Sequence, residues 1–211
     1  MPTSNPNEKQ LPAKRLRYFM ISGVSSAVLA FAGLAAGGGL LWGIVSIICG
    51  LIFALALNRI RPHRPESQTW LFVIIFTVVF ALFTMGLIRP LAELVSQSGS
   101  SFIFAASIIG LTGIGAVSSI LAGGGYENFM GWSTPPMWKL ALAGGIAFAI
   151  PHLITILLYP YGIRVSIWFE IPVLLLSWNL AVGWLFSQNT QEDLNEHGYI
   201  KNLIEEIGKD E

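Results

Sequence analysis

Polar and apolar residues segregate into long blocks along this chain. From Tyr18 to Asn58 there is no Asp, Glu, Lys or Arg, a run of 41 residues that would measure about 61 Å as one helix at 1.5 Å per residue. A bilayer core is about 30 Å thick, so the run holds two crossings. Gly37, Gly38 and Gly39 sit midway and predict the turn between them. The remaining apolar blocks predict four further crossings. The six spans are expected at about 18–36, 40–58, 70–88, 102–122, 138–158 and 165–186, each close to the ~20 residues a helix needs to cross.

The segments between and around the spans are short and polar. Residues 1–17 form a basic N-terminal tail, of which 1–13 are rich in Pro, Asn, Ser and Gln and read as mobile. Between the third and fourth spans, Arg89 to Val95 predict a short interfacial turn of helix before the flexible Ser96 to Ser101. Gly123 to Met137 read as a glycine-rich, aromatic loop closed by Pro135 and Pro136. In the acidic tail 187–211, Thr190 with Asp193 suggests a capping box. Ile200, Leu203, Ile204 and Ile207 share one face of a short amphipathic helix. Such a helix suits docking on its own bundle or on a cytoplasmic partner better than anionic lipid.

Composition agrees with the blocks. Of 211 residues, 54% are hydrophobic and 11% charged, whereas a soluble domain carries about 25% charged residues to face water. A water-soluble globule and a disordered chain are both excluded. The expected fold class is all-α: a polytopic integral membrane protein built as a six-helix transmembrane bundle.

Charge sets the orientation. Ten of the twelve Lys and Arg residues (Lys9, Lys14, Arg15, Arg17, Arg59, Arg61, Arg64, Lys139, Lys201, Lys209) fall on one side of this scheme, and only Arg89 and Arg164 on the other. The positive-inside rule then puts both termini in the cytoplasm, in the plasma (inner) membrane. Tyr18, Trp70, Trp138 and Trp184 mark inner ends of the spans, and Trp42, Tyr159, Tyr161 and Trp168 the outer ends. The first span is too long for the 7–15-residue core of a signal peptide and is expected to stay. Arg59, Arg61, His63 and Arg64 between spans two and three read as an orientation signal, or else as a patch for anionic headgroups or a cytoplasmic partner. A formal net charge of zero gives no pointer to nucleic acid, and the lone Cys49 supplies neither a disulfide nor a thiolate metal site.

Within the spans, small residues repeat every four positions: Ser22, Ser26 and Ala30 in the first, Ser46, Gly50 and Ala54 in the second, and Ala141, Gly145 and Ala149 in the fifth. Such stripes let helix backbones approach, and against a partner membrane protein they would form an interface. The clearly intramembrane ionisable residues are His152 and Glu170, in the fifth and sixth spans. Counting back from the outer ends puts them at about 10 Å and 9 Å depth. Pro151 and Pro172 lie beside them, and a proline inside a span frees a backbone carbonyl. The expected site is a polar pocket in the outer half of these two spans, formed by His152, Glu170, Ser166, Thr155 and Tyr159 with Arg164 and Arg89 at its mouth. Intramembrane ionisable residues mark functional sites by default. The competing reading is a structural pair, Glu170 with His152, Arg164 or Arg89.

No metal-binding His-Glu-x-x-His, nucleophile elbow, phosphate loop or intramembrane aspartate is present, and no cofactor is implied. Three classes fit: a small-solute transporter or its membrane-embedded substrate-binding subunit, a non-catalytic assembly or scaffold subunit, and an intramembrane enzyme acting on lipid. In size, span number and small-residue first helix the chain is similar to the substrate-capture subunits of energy-coupling-factor vitamin importers, a likeness of architecture carried by no motif.

Overall fold

A computed structural model describes residues 6–35, 37, 40–60, 66–97, 101–130, 134–158, 161 and 166–207. Nearly all of these residues are helical: α1 Pro6–Ala35, α2 Leu40–Arg59, α3 Glu66–Val79, a π-helical turn Phe80–Met85, α4 Gly86–Gln97, α5 Ser101–Met130, α6 Met137–Leu158 and α7 Ile167–Ile207. Among the described residues six stretches are long and apolar enough to cross a membrane: Arg15–Ala35, Leu40–Arg59, Trp70–Leu91, Ala105–Asn128, Met137–Thr155 and Ile167–Gln188. The third runs through α3, the π turn and the start of α4.

Neighbour relations close these spans into a ring. α1 packs on α2 and α7, α2 on α3, α3 on α5, α5 on α6, and α6 on α7. Aromatic side chains fill the middle. Phe53 lies 4.5 Å from the Trp178 ring and 5.5 Å from Phe76, between centroids. Phe80 and Phe19 surround the same pair. The outer surface is the reverse of a soluble protein's, with Leu40, Leu82, Ile109 and Leu157 all at least 70% exposed. Lipid accepts such a surface where water would drive it to aggregate.

Local chemistry explains the irregular points. Gly37 adopts φ +83°, a conformation that costs glycine little, and its N–H closes the turn onto the Leu34 carbonyl at 3.0 Å. In the third span the Gly86 N–H reaches back to the Ala81 carbonyl, five residues earlier. This wider turn comes four residues ahead of Pro90, which has no N–H to offer the helix. The indole N–H of Trp42 donates to the Met85 carbonyl at the end of the turn.

Three boundaries differ from the sequence expectation. α1 already begins at Pro6, so 6–17 continue the first span rather than forming an irregular tail. α5 continues to Met130, so most of the expected Gly123–Met137 loop is helix. There Gly123 lets the Leu140 side chain approach to within a distance no Cβ would permit. α7 runs unbroken from Ile167 to Ile207, about 61 Å at 1.5 Å per residue. Thr190 and Asp193 therefore lie inside a helix and not at the start of one. Once i→i−4 bonds are in place, a capping side chain has no free N–H to take. The arginine loop at 61, 63 and 64 lies outside the described residues.

Candidate functional site

The site forms where α6 ends and α7 begins, at the end of the bundle where Phe31, late in α1, meets Trp168, early in α7. Ser166 starts α7. Its carbonyl accepts from the Phe169 and Glu170 N–H groups and its Oγ from the Trp168 N–H at 3.3 Å, as an N-cap does. Ser166 is exposed and shapes the helix start rather than lining a pocket. Glu170 is consequently the fourth residue of α7, about 4.5 Å along it. That is shallower than a helix beginning at 165 would make it. The helix N-terminus carries partial positive charge and favours a carboxylate there.

Glu170 and His152 are each 1% exposed. The Thr155 Oγ1 lies 2.9 Å from Glu170 Oε1 and 3.0 Å from the Pro151 carbonyl. A hydroxyl has a single proton, so Thr155 serves one of these acceptors at a time. His152 Nδ1 stands 3.9 Å from Glu170 Oε1, beyond hydrogen-bond reach. At this site three buried polar atoms find no hydrogen-bond partner among the described residues: both ring nitrogens of His152 and Glu170 Oε2. Buried polar atoms are normally satisfied, and unsatisfied ones concentrate where something else binds.

The other expected pocket residues lie elsewhere or outside the described part. Arg89 bonds Glu93 one turn on, Nε to Oε1 at 2.8 Å, and its guanidinium lies 5.9 Å from the Trp42 ring centroid. Tyr159 and Arg164 lie outside the described residues. The structure thus brings together His152, Glu170 and Thr155 of the expected set.

Small residues sit at helix contacts elsewhere in the bundle. Ser22, Ser26 and Ala30 are buried on α1, as are Ser46, Gly50 and Ala54 on α2. Ser22 Oγ donates to Asn179 Oδ1 of α7 at 2.7 Å. Asn179 is absent from the expected set, although an amide in the middle of an apolar span is a signal of an interhelical bond. In α6 the tightest crossing is one position off the expected stripe. Ala141 and Ala149 are half-buried and Gly145 is buried. At Gly144, however, a Cβ would collide with Ser119 Oγ and the Gly115 carbonyl of α5.

Among the described residues no group of three or more His, Cys, Asp or Glu side chains gathers to hold a metal ion. Comparison with protein-family models, with curated proteins and with solved structures finds no match to this chain.

Proposed function

We propose that this integral membrane protein binds a small solute between α6 and α7 and acts as a small-solute transporter or as the membrane-embedded substrate-binding subunit of one. The observation that carries the reading is the cluster of three polar atoms on His152 and Glu170, residues each 1% exposed, that find no hydrogen-bond partner among the described residues. A purely structural pair would be expected to satisfy itself. The plasma membrane with both termini in the cytoplasm is the proposed setting, supported by the ten-to-two division of Lys and Arg.

The test is purification of the full chain in mild detergent, followed by mass spectrometry of copurifying small molecules and proteins. A small solute retained by the wild type and depleted about tenfold in Glu170→Gln, equivalent to ~1.4 kcal/mol, at equal protein yield supports the reading. Loss of abundance alone makes Glu170 structural.

A second reading rests on a different observation. The interior of the ring is filled with aromatic side chains, and α7 continues about 28 Å past Gln188 to Ile207. A scaffold subunit that offers this acidic arm to a cytoplasmic protein has that form. A stoichiometric copurifying protein with no solute favours it over transport.

A further inference from the structure

We propose that the His152–Glu170 site exchanges one small organic ammonium ion for one proton. This rests on the solute-binding reading above and names its substrate class. An ionised Glu170 gives the site a charge of −1, which the partial positive charge of the α7 N-terminus offsets only in part, and among the described residues no titratable group facing it cancels that charge. On α6 the titratable neighbour is His152. The described side chains of α1 beyond Arg17 carry no charge. Arg89 of α4 is engaged with Glu93, and α2 offers Cys49 and, at its far end, Arg59. A carboxylate shut away from water is costly until something neutralises it. A proton on the carboxyl does so, and so does a cation at Oε2. Both cannot hold there together.

The donor set selects the kind of cation. Glu170 Oε2 and the unprotonated ring nitrogen of His152 can accept two N–H bonds, and the other ring nitrogen can donate to an acceptor or to an aromatic face of the solute. A bare hard cation instead needs a shell of oxygens, and one oxygen here is already within reach of Thr155. An anionic solute is repelled. The step balances as protonated Glu170 plus R–NH3+ giving the carboxylate–ammonium complex plus H+, with no covalent bond to carbon changed.

The probe is benzylammonium, titrated calorimetrically into the full chain in detergent in two buffers of different ionisation enthalpy, with benzyl alcohol as its neutral counterpart. Expected are release approaching one proton per bound ion and affinity that weakens toward tenfold per pH unit on acidification. Glu170→Gln abolishes both binding and release, whereas Glu170→Asp binds more weakly but still releases a proton with each ion bound. Glu170→Asp decides the matter if the glutamine variant does not fold. Benzylammonium binding with no proton released, or unchanged in Glu170→Gln, overturns the exchange. Binding of benzyl alcohol alone, lost in Glu170→Gln, overturns the exchange but leaves the solute pocket standing. Failure of both probes, with no copurified solute, overturns the exchange and the pocket together.

Discussion

The Ser177 hydroxyl of α7 lies 2.8 Å from the Ala147 carbonyl of α6, and Ala147 is the residue four before Pro151. In an unbroken helix that carbonyl would accept the N–H of residue 151, which proline lacks. A neighbouring helix therefore supplies the missing donor at the approach to His152. The Leu174 carbonyl, at 3.0 Å, competes for the same proton.

This relationship predicts coupling between positions 151 and 177. Ser177→Ala should destabilise the bundle by about 0.6 to 1.7 kcal/mol, the range for hydrogen bonds between membrane helices. Pro151→Ala restores the helical N–H, and in that background the serine should be nearly dispensable. A double-mutant cycle on unfolding in mixed detergent measures the difference. Equal losses in both backgrounds would disprove the link.

Backbone proximity makes Gly144 intolerant of a side chain. A Cβ there meets Ser119 Oγ and the Gly115 carbonyl, while one on Gly113 meets nothing within 4 Å. Gly144→Ala should cost roughly 1–3 kcal/mol or more through overpacking. Gly113→Ala should be neutral or stabilising by up to ~1 kcal/mol, since alanine is the better helix former. Melting temperatures of the two variants in detergent should move apart, and similar shifts would contradict the close crossing.

Thr155 fastens α6 to α7 through Glu170. Thr155→Val keeps the shape and removes the hydroxyl, leaving a buried acceptor short of a partner at a cost of about 1–3 kcal/mol. Thr155→Ser keeps the donor and should recover most of the loss. A valine variant that melts with the wild type would show that the hydroxyl serves the Pro151 carbonyl alone.

Topology is open to cysteine mapping, because Cys49 is 1% exposed and should resist maleimide in the folded protein. In a Cys49→Ala background, Thr3→Cys and Lys209→Cys should react with an impermeant maleimide only from the cytoplasmic side, and Ser98→Cys only from outside. Labelling of Lys209→Cys from outside in intact cells would overturn the orientation drawn from Lys and Arg.

The number of spans was legible without coordinates. Hydrocarbon penalises every unpaired charge at its own position, so charge-free runs such as Tyr18 to Asn58 mark the helices long and apolar enough to cross. The glycine turn at residue 37 was legible for a similar reason, since a backbone requirement at one position selects one residue type. His152 and Glu170 stood out because an ionisable residue in an apolar run is conspicuous by itself.

Relations between helices were not legible in this way. Which spans are neighbours around the ring depends on how each helix is rotated and crossed against the next, and mean hydropathy carries no record of rotation. Hence the tightest α5–α6 contact falls at Gly144 and not on the stripe through Gly145, and Arg89 turns to Glu93 and Trp42. The run of α7 past Ser187 is decided by cooperativity: a helix already propagating takes in the polar residues that follow unless one breaks it. Individual residues declared where lipid would accept them; only packing decided which of them meet.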